Sequence, residues 1–225
     1  MKTMIEMIMK KATGAGILAV CISLLAGCGF IAPSQGHVAR QMAKKYGERF
    51  EYIDNDEETS QYRYRTSQMA TNEKIAVSYR EDVLKDEYAS YLLQYDEAEY
   101  ISKYFDKFFA EYKVYPTIRY LSSDLDANST LDDLYEANPN IRVYIRFIIP
   151  ERELTSNSDM NQRMELCCKD IATDGKRYTI VAYPVDDDRY DTFDRSDTAD
   201  FNTVKDDYWS CSISGGVVKV SNLMD

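Results

Sequence analysis

Histidine is nearly absent: His37 is the single imidazole in 225 residues, and tryptophan also occurs once. A Ser-His-Asp or Cys-His hydrolase would have to be built around His37, and no nucleophile-elbow or cysteine-protease motif accompanies any serine or thiol. One histidine and the vicinal pair Cys167-Cys168 also lack the paired spacings of a structural zinc site. Glycine is scarce, and Gly215-Gly216 is the one adjacent pair, so no phosphate-cradling Walker or dinucleotide loop is present and no cofactor is implied. Basic blocks are missing too. With 27 Lys and Arg against 38 Asp and Glu, the net charge of −11 repels polyanions and excludes nucleic acid as a partner.

What is present begins at the N-terminus. Lys2, Lys10 and Lys11 stand against Glu6 and are followed by an uncharged run from Ala12 to Gly27, the pattern of a secretory signal with a basic start and an apolar middle. Its end, Leu25-Ala26-Gly27-Cys28, resembles the lipobox of bacterial lipoproteins. The resemblance covers about the first thirty residues. It implies cleavage between Gly27 and Cys28 and a diacylglyceryl group on the Cys28 sulfur. An apolar run of roughly twenty residues can also span a bilayer uncleaved, but Gly14, Gly16, Gly27 and Gly29 crowd this one and no basic stop follows. The resemblance implies a chain held at the cell membrane through Cys28, on its extracytoplasmic face, with two acyl chains enough for stable anchoring.

Removal of residues 1–27 leaves 198 residues, room for one sizeable core, and takes away three lysines and one glutamate, which lowers the net charge to −13. Residues 28–36 (CGFIAPSQG) read as a tether and 37–225 as one domain, with about 37–95 and 96–225 as alternative sub-lobes. With Cys21 in the signal and Cys28 lipidated, Cys167, Cys168 and Cys211 remain. They allow at most one disulfide, in which Cys211 meets one of the vicinal pair, or they are small buried hydrophobes.

The domain reads as α+β. A helix over about Gly36 to Tyr46 carries Val38, Met42 and Tyr46 on one face and ends at Gly47. Three short strands follow (Phe50–Ile53, Tyr62–Thr66, Ile75–Tyr79), and a helix leading into an antiparallel meander is similar to the opening of cystatin-like modules in order of elements. Ile101, Tyr104, Phe105, Phe108, Phe109 and Tyr112 keep helical spacing, whereas Asp86 to Tyr95 fits a helix or an irregular segment equally. The remainder alternates: strand Val114–Leu121, a short helix from Ser129 or Thr130 to Ala137, strand Ile141–Phe147, helix Ser158–Ala172, strand Arg177–Val185, and a hairpin Tyr208–Val220 turning at Gly215-Gly216. The expectation is one mixed, mostly antiparallel sheet with helices packed mainly on one face.

Four groups could carry function. Asp124, Asp126, Asn128, Thr130 and Asp132 alternate like calcium-loop ligands, but Ser129 replaces the turn glycine and Tyr135 the bidentate glutamate, which leaves Ser129 or Thr130 as a helix cap. Asp186, Asp187, Asp188, Asp191, Asp194, Asp197 and Asp200 read as an extended, solvated loop or a cation-binding one. Carboxylate pairs for a hydrolase are too many to rank. Nineteen tyrosines suggest a recognition surface, for which Tyr62, Arg63, Tyr64, Arg65, Tyr144 and Arg146 are the candidate face, with Tyr120, Arg119 and Arg142 beside them. These features point to a non-enzymatic binding module for a protein or cell-wall partner, ahead of an envelope hydrolase using carboxylates or Cys167/Cys168, or a calcium-stabilised surface protein.

Overall fold

The computed structural model describes residues 34–202 and 208–222. Gly27, Cys28 and most of the tether lie outside the described residues, as do the last residues before Asp207 of the acidic segment. The chain from Gln35 onward clusters as one compact unit. Its fold is α+β, with five α-helices and nine strands among the described residues. The strands form two sheets instead of one: a four-stranded antiparallel meander and a five-stranded mixed sheet.

Helix α1 (Gln35–Tyr46) buries Val38 and Met42 and ends where Gly47, at φ +76°, donates its amide to Ala43. The meander is β1 (Glu51–Asp56), β2 (Gln61–Arg65), β3 (Ile75–Arg80) and β4 (Val83–Asp86) in that spatial order. Strand β4 has no counterpart in the sequence reading. The β3–β4 turn places Glu81 and Asp82 at positive φ without the glycine or asparagine that announces such a turn. One face of this sheet buries Tyr64, Ile75 and Val77 against α1 and the start of the next helix.

That helix, α2 (Tyr88–Phe105), is shared between the two halves. Tyr88 and Tyr91 join the core of the meander, while Ala89, Leu93, Ile101, Tyr104 and Phe105 join the core of the second sheet. Its first half buries residues on every side, including Ser90, Gln94 and Glu97, so no single apolar stripe marks it. At its other end the apolar period outruns the helix. Phe108, Phe109 and Tyr112 lie past Phe105, because the chain wraps the rings of Phe105, Phe109 and Tyr112 around Phe147, at centroid distances of 4.1, 5.0 and 5.2 Å.

The second sheet runs β5 (Lys113–Thr117), β6 (Arg142–Pro150), β7 (Arg177–Val185), β8 (Trp209–Ser214) and β9 (Val217–Asn222), with only β6 and β7 parallel. Helix α3 (Leu131–Ala137) lies between β5 and β6, and helix α4 (Asn157–Ile171) forms the β6–β7 crossover. Pro116 sits on edge strand β5, and Gly215 and Gly216 turn the β8–β9 hairpin at φ +57° and +77°. Alternation divides the strand residues. Val143, Ile145, Phe147, Tyr178 and Ile180 face α2 and α4, whereas Ile148, Val181, Tyr183 and Val185 face Tyr190 and Phe193. Tyr190 belongs to the short helix α5 (Asp187–Thr192) on the far side. The three thiols are free and buried, with Cys168 in hydrogen-bond reach of Cys211, and burial pushes Cys167 and Cys168 far above the usual thiol range.

Asp86 joins the halves. Its carboxylate, 1 % exposed, accepts from Lys45 Nζ at 2.9 Å, Tyr46 Oη at 2.7 Å and the Tyr88 amide at 2.9 Å. Its backbone forms a two-bond bridge with Ser122. Replacing Asp86 by Ala strands a half-buried ammonium, a phenol and a helix amide together, and the loss expected is about 3–5 kcal/mol. Urea denaturation checks it: Asp86→Ala should unfold at clearly lower urea, Asp86→Asn, which retains an acceptor, should fall between, and an unchanged Asp86→Ala midpoint would refute the role.

Candidate functional site

A cleft of about 280 Å³ opens between the two sheets beside Asp86. Its floor is one face of α2, where Tyr91 and Gln94 continue the line of Glu87 just before the helix at spacings of four and three. One wall is Glu73 to Ile75 at the start of β3; the other is Thr117 to Arg119 at the end of β5, with Arg146 of β6. Arg195 and Thr198, from a 3₁₀ segment (Arg195–Asn202), border it as well.

Arg195 ties the walls together. Its guanidinium meets Glu73 Oε1 at 2.7 Å and donates to the Pro116 carbonyl at 3.0 Å, and it lies over the rings of Tyr91 and Tyr95. Beside it, Asn72 donates to the Ser196 carbonyl at 2.8 Å. Glu73 is thereby fully engaged, since its other oxygen accepts from Tyr91 Oη at 2.8 Å and from the Ala70 amide at 3.1 Å.

The remaining lining is polar and uneven in charge. Lys74, Arg119, Arg146 and Arg195 line it with Glu73 and Glu87; Lys74 is paired with Asp54 at 2.8 Å and Arg195 with Glu73 at 2.7 Å. Arg119 is exposed and makes no ion pair among the described residues. Gln94 is 4 % exposed; its Nε2 donates to the Ile118 carbonyl at 3.3 Å, while its Oε1 has no partner among the described residues. Glu87 accepts from the Ala76 amide at 2.9 Å. Burial pushes its carboxyl upward, with the amide bond and the charge of Arg119 acting against that.

The candidate Tyr/Arg face is divided by this architecture. Tyr62, Arg63, Tyr64 and Arg65 lie on β2 of the first sheet, Tyr144 and Arg146 on β6 of the second, so they do not form one surface. Strand alternation turns Tyr64 into the core, where its hydroxyl donates to the Gln35 carbonyl at 2.8 Å, and packs half-buried Tyr62 beside it. Arg63 is held by Asp54 and Asp56, and Arg65 by Glu51. Of the six, Arg146 alone lines the cleft, joined by Arg119 from the neighbouring strand end. Glu87, Gln94 and Arg195 carried no sequence signal, because three distant segments bring them together.

The other candidates are placed apart. His37 contacts Tyr79 Oη on the meander, and the thiols sit in the core of the second sheet. Thr130 caps α3 in a capping box with Asp133, and Asp126 accepts from the Asn128 amide, so these acids serve their own loop. The acidic run is not an extended loop. Asp186 caps α5, Asp187 and Asp191 hold Arg152, and Asp194 binds the Ser196 amide, so the carboxylates sit at helix starts and on an arginine instead of repelling along one face. Among the described residues no group of three or more His, Cys, Asp and Glu is placed to hold a metal.

Glu97, three residues beyond Gln94 on the same helix, is the other carboxylate that burial raises. It is 0 % exposed and accepts from Tyr135 Oη at 2.8 Å and Tyr178 Oη at 2.9 Å. A carboxyl raised on folding contributes stability below its unfolded value and loses it as pH rises through the folded value. Melting temperatures taken from the ordinary glutamate range upward should therefore fall more in the wild type than in Glu97→Gln. Parallel curves would show that Glu97 ionises as it does in the unfolded chain.

No family model matches the chain, and no curated protein matches it. Among solved structures, it is similar to a DUF5037 family protein from Ruminococcus gnavus ATCC 29149, at TM-score 0.51 and 12 % identity over 83 % of this chain and 94 % of that one. That likeness is one of fold alone.

Proposed function

We propose that the chain is a non-enzymatic binding module, held through a lipid on Cys28 at the outer face of the cell membrane, and that the cleft between its sheets receives the polar part of a protein or cell-wall partner. The observation that carries the binding reading is the cleft itself, where Arg119 and Arg146 line the wall beside Glu87 in a chain of net charge −11, Lys74 and Arg195 being held by Asp54 and Glu73. The anchor rests on the Leu25-Ala26-Gly27-Cys28 resemblance. A hydrolytic use of the cleft would call for a second available carboxylate beside Glu87, and Glu73 is already taken by Arg195, Tyr91 and the Ala70 amide.

The test uses the full chain in its own membranes, with a photo-crosslinking residue at Thr198 on the cleft rim. Adducts formed by the otherwise unaltered chain should disappear in Arg119→Asp and persist in Arg142→Asp, which changes an arginine away from the cleft. Identical adducts in both would remove the cleft as the binding site. In parallel, Cys28→Ala should lose acyl labelling and leave the membrane fraction or accumulate as an uncleaved precursor; labelling that persists would remove the anchor.

A further inference from the structure

The polar groups of the cleft are sorted by sign. Its floor offers an acceptor, the Glu87 carboxylate, beside Gln94, whose Oε1 is sealed from the cleft. The side formed by the second sheet offers cations, Arg119 and Arg146, and Arg119 is near enough to Glu87 for its charge to act on that carboxyl. A simple anion would satisfy Arg119 but set its own acceptors against Glu87. A simple cation would satisfy the floor and face the guanidinium of Arg119. Both halves are met at once by a ligand that carries an ammonium and a carboxylate a few bonds apart. The volume, about 280 Å³, lies just below the usual range of ligand pockets, roughly 300–1,000 Å³, and suits a small ligand.

Resting on the reading of the cleft as the binding site, the geometry points to a small zwitterion of the amino-acid or dipeptide class as its ligand. The ammonium donates to Glu87, and the carboxylate accepts from Arg119.

Calorimetric titration of the full chain at low ionic strength tests this with three probes: glycylglycine, N-acetylglycine, which keeps the carboxylate and lacks the ammonium, and glycinamide, which keeps the ammonium and lacks the carboxylate. Glycylglycine should bind saturably, with each of the others weaker by roughly tenfold or more. Arg119→Gln, at an exposed position, should weaken glycylglycine by roughly tenfold and erase its advantage over glycinamide. Glu87→Gln, which retains an acceptor for the Ala76 amide, should erase the advantage over N-acetylglycine. N-acetylglycine binding as tightly as glycylglycine would overturn the assignment, as would no binding of any probe. If no probe binds while Arg119→Asp still removes the crosslinked adduct, the ligand class is wrong and the binding module stands; if the adduct is also unchanged, both fail.

Discussion

A carboxylate almost sealed from water at the junction of two sheets is costly to desolvate, and Asp86 offsets that cost with three donors and a two-bond backbone bridge. These partners serve three structural tasks. Lys45 and Tyr46 fix the last turn of α1 on the meander, the Tyr88 amide fixes the first turn of α2, and Ser122 fixes the chain leaving β5. Burial and the neighbouring Asp86 charge push the Tyr46 phenol upward, so Tyr46 stays a donor throughout the physiological range. Because α2 starts at this point, the rotation of its exposed face follows from it. Glu87, Tyr91 and Gln94 line the cleft only while the helix begins where Asp86 begins it.

Helix α2 then has to satisfy two cores at once, and this explains its composition. A helix covering one sheet needs one apolar stripe; a helix wedged between two sheets needs apolar side chains that change face along its length, with polar groups bonded where the sheets diverge. Ser90 donates to the Glu87 carbonyl and Gln94 to the Ile118 carbonyl on that divergent side, and Glu97 closes it farther along with two tyrosine hydroxyls. On the outside, Arg195 completes the junction. Its bonds to Glu73 and Pro116 cross from the first sheet to the second, and at roughly one-fifth side-chain exposure it is less screened than a surface pair.

Much of this fold was legible because it rests on local periodicity. The α1 face, the α3 cap, helix α4, strands β6 and β7 and the β8–β9 turn all follow from spacing and turn residues. What escaped came from competition between levels. Phe109 and Tyr112 kept helical spacing because, with Phe105, their rings surround Phe147, not because the helix continues. Strand β4 was hidden by a turn made with Glu81 and Asp82. The two-sheet division depends on Asp86 and Ser122, residues 36 apart whose pairing nothing local announces. The site was the least legible part. Arg119 and Arg146 were visible as strand arginines, but their relation to Glu87 and Gln94 exists only once α2 lies between the sheets, and Arg195 was concealed in an acidic run whose carboxylates turned out to be caps and arginine partners.

The acidic surface and the cationic cleft act over different distances, and this difference selects among ligands. At physiological ionic strength surface charges are felt over about 8 Å, so an incoming anion meets the repulsion of a chain of net charge −11 before it reaches Arg119. A cation is drawn to that surface generally but is opposed inside by the arginines. A molecule with no net charge escapes both effects on approach, and its separated charges interact only where acceptors and guanidinium groups are arranged to receive them. Exclusion of free anions by the surface and retention of dipolar ligands by the cleft are then two consequences of one charge distribution, with selectivity set by the few ångströms between the floor of α2 and the end of β5.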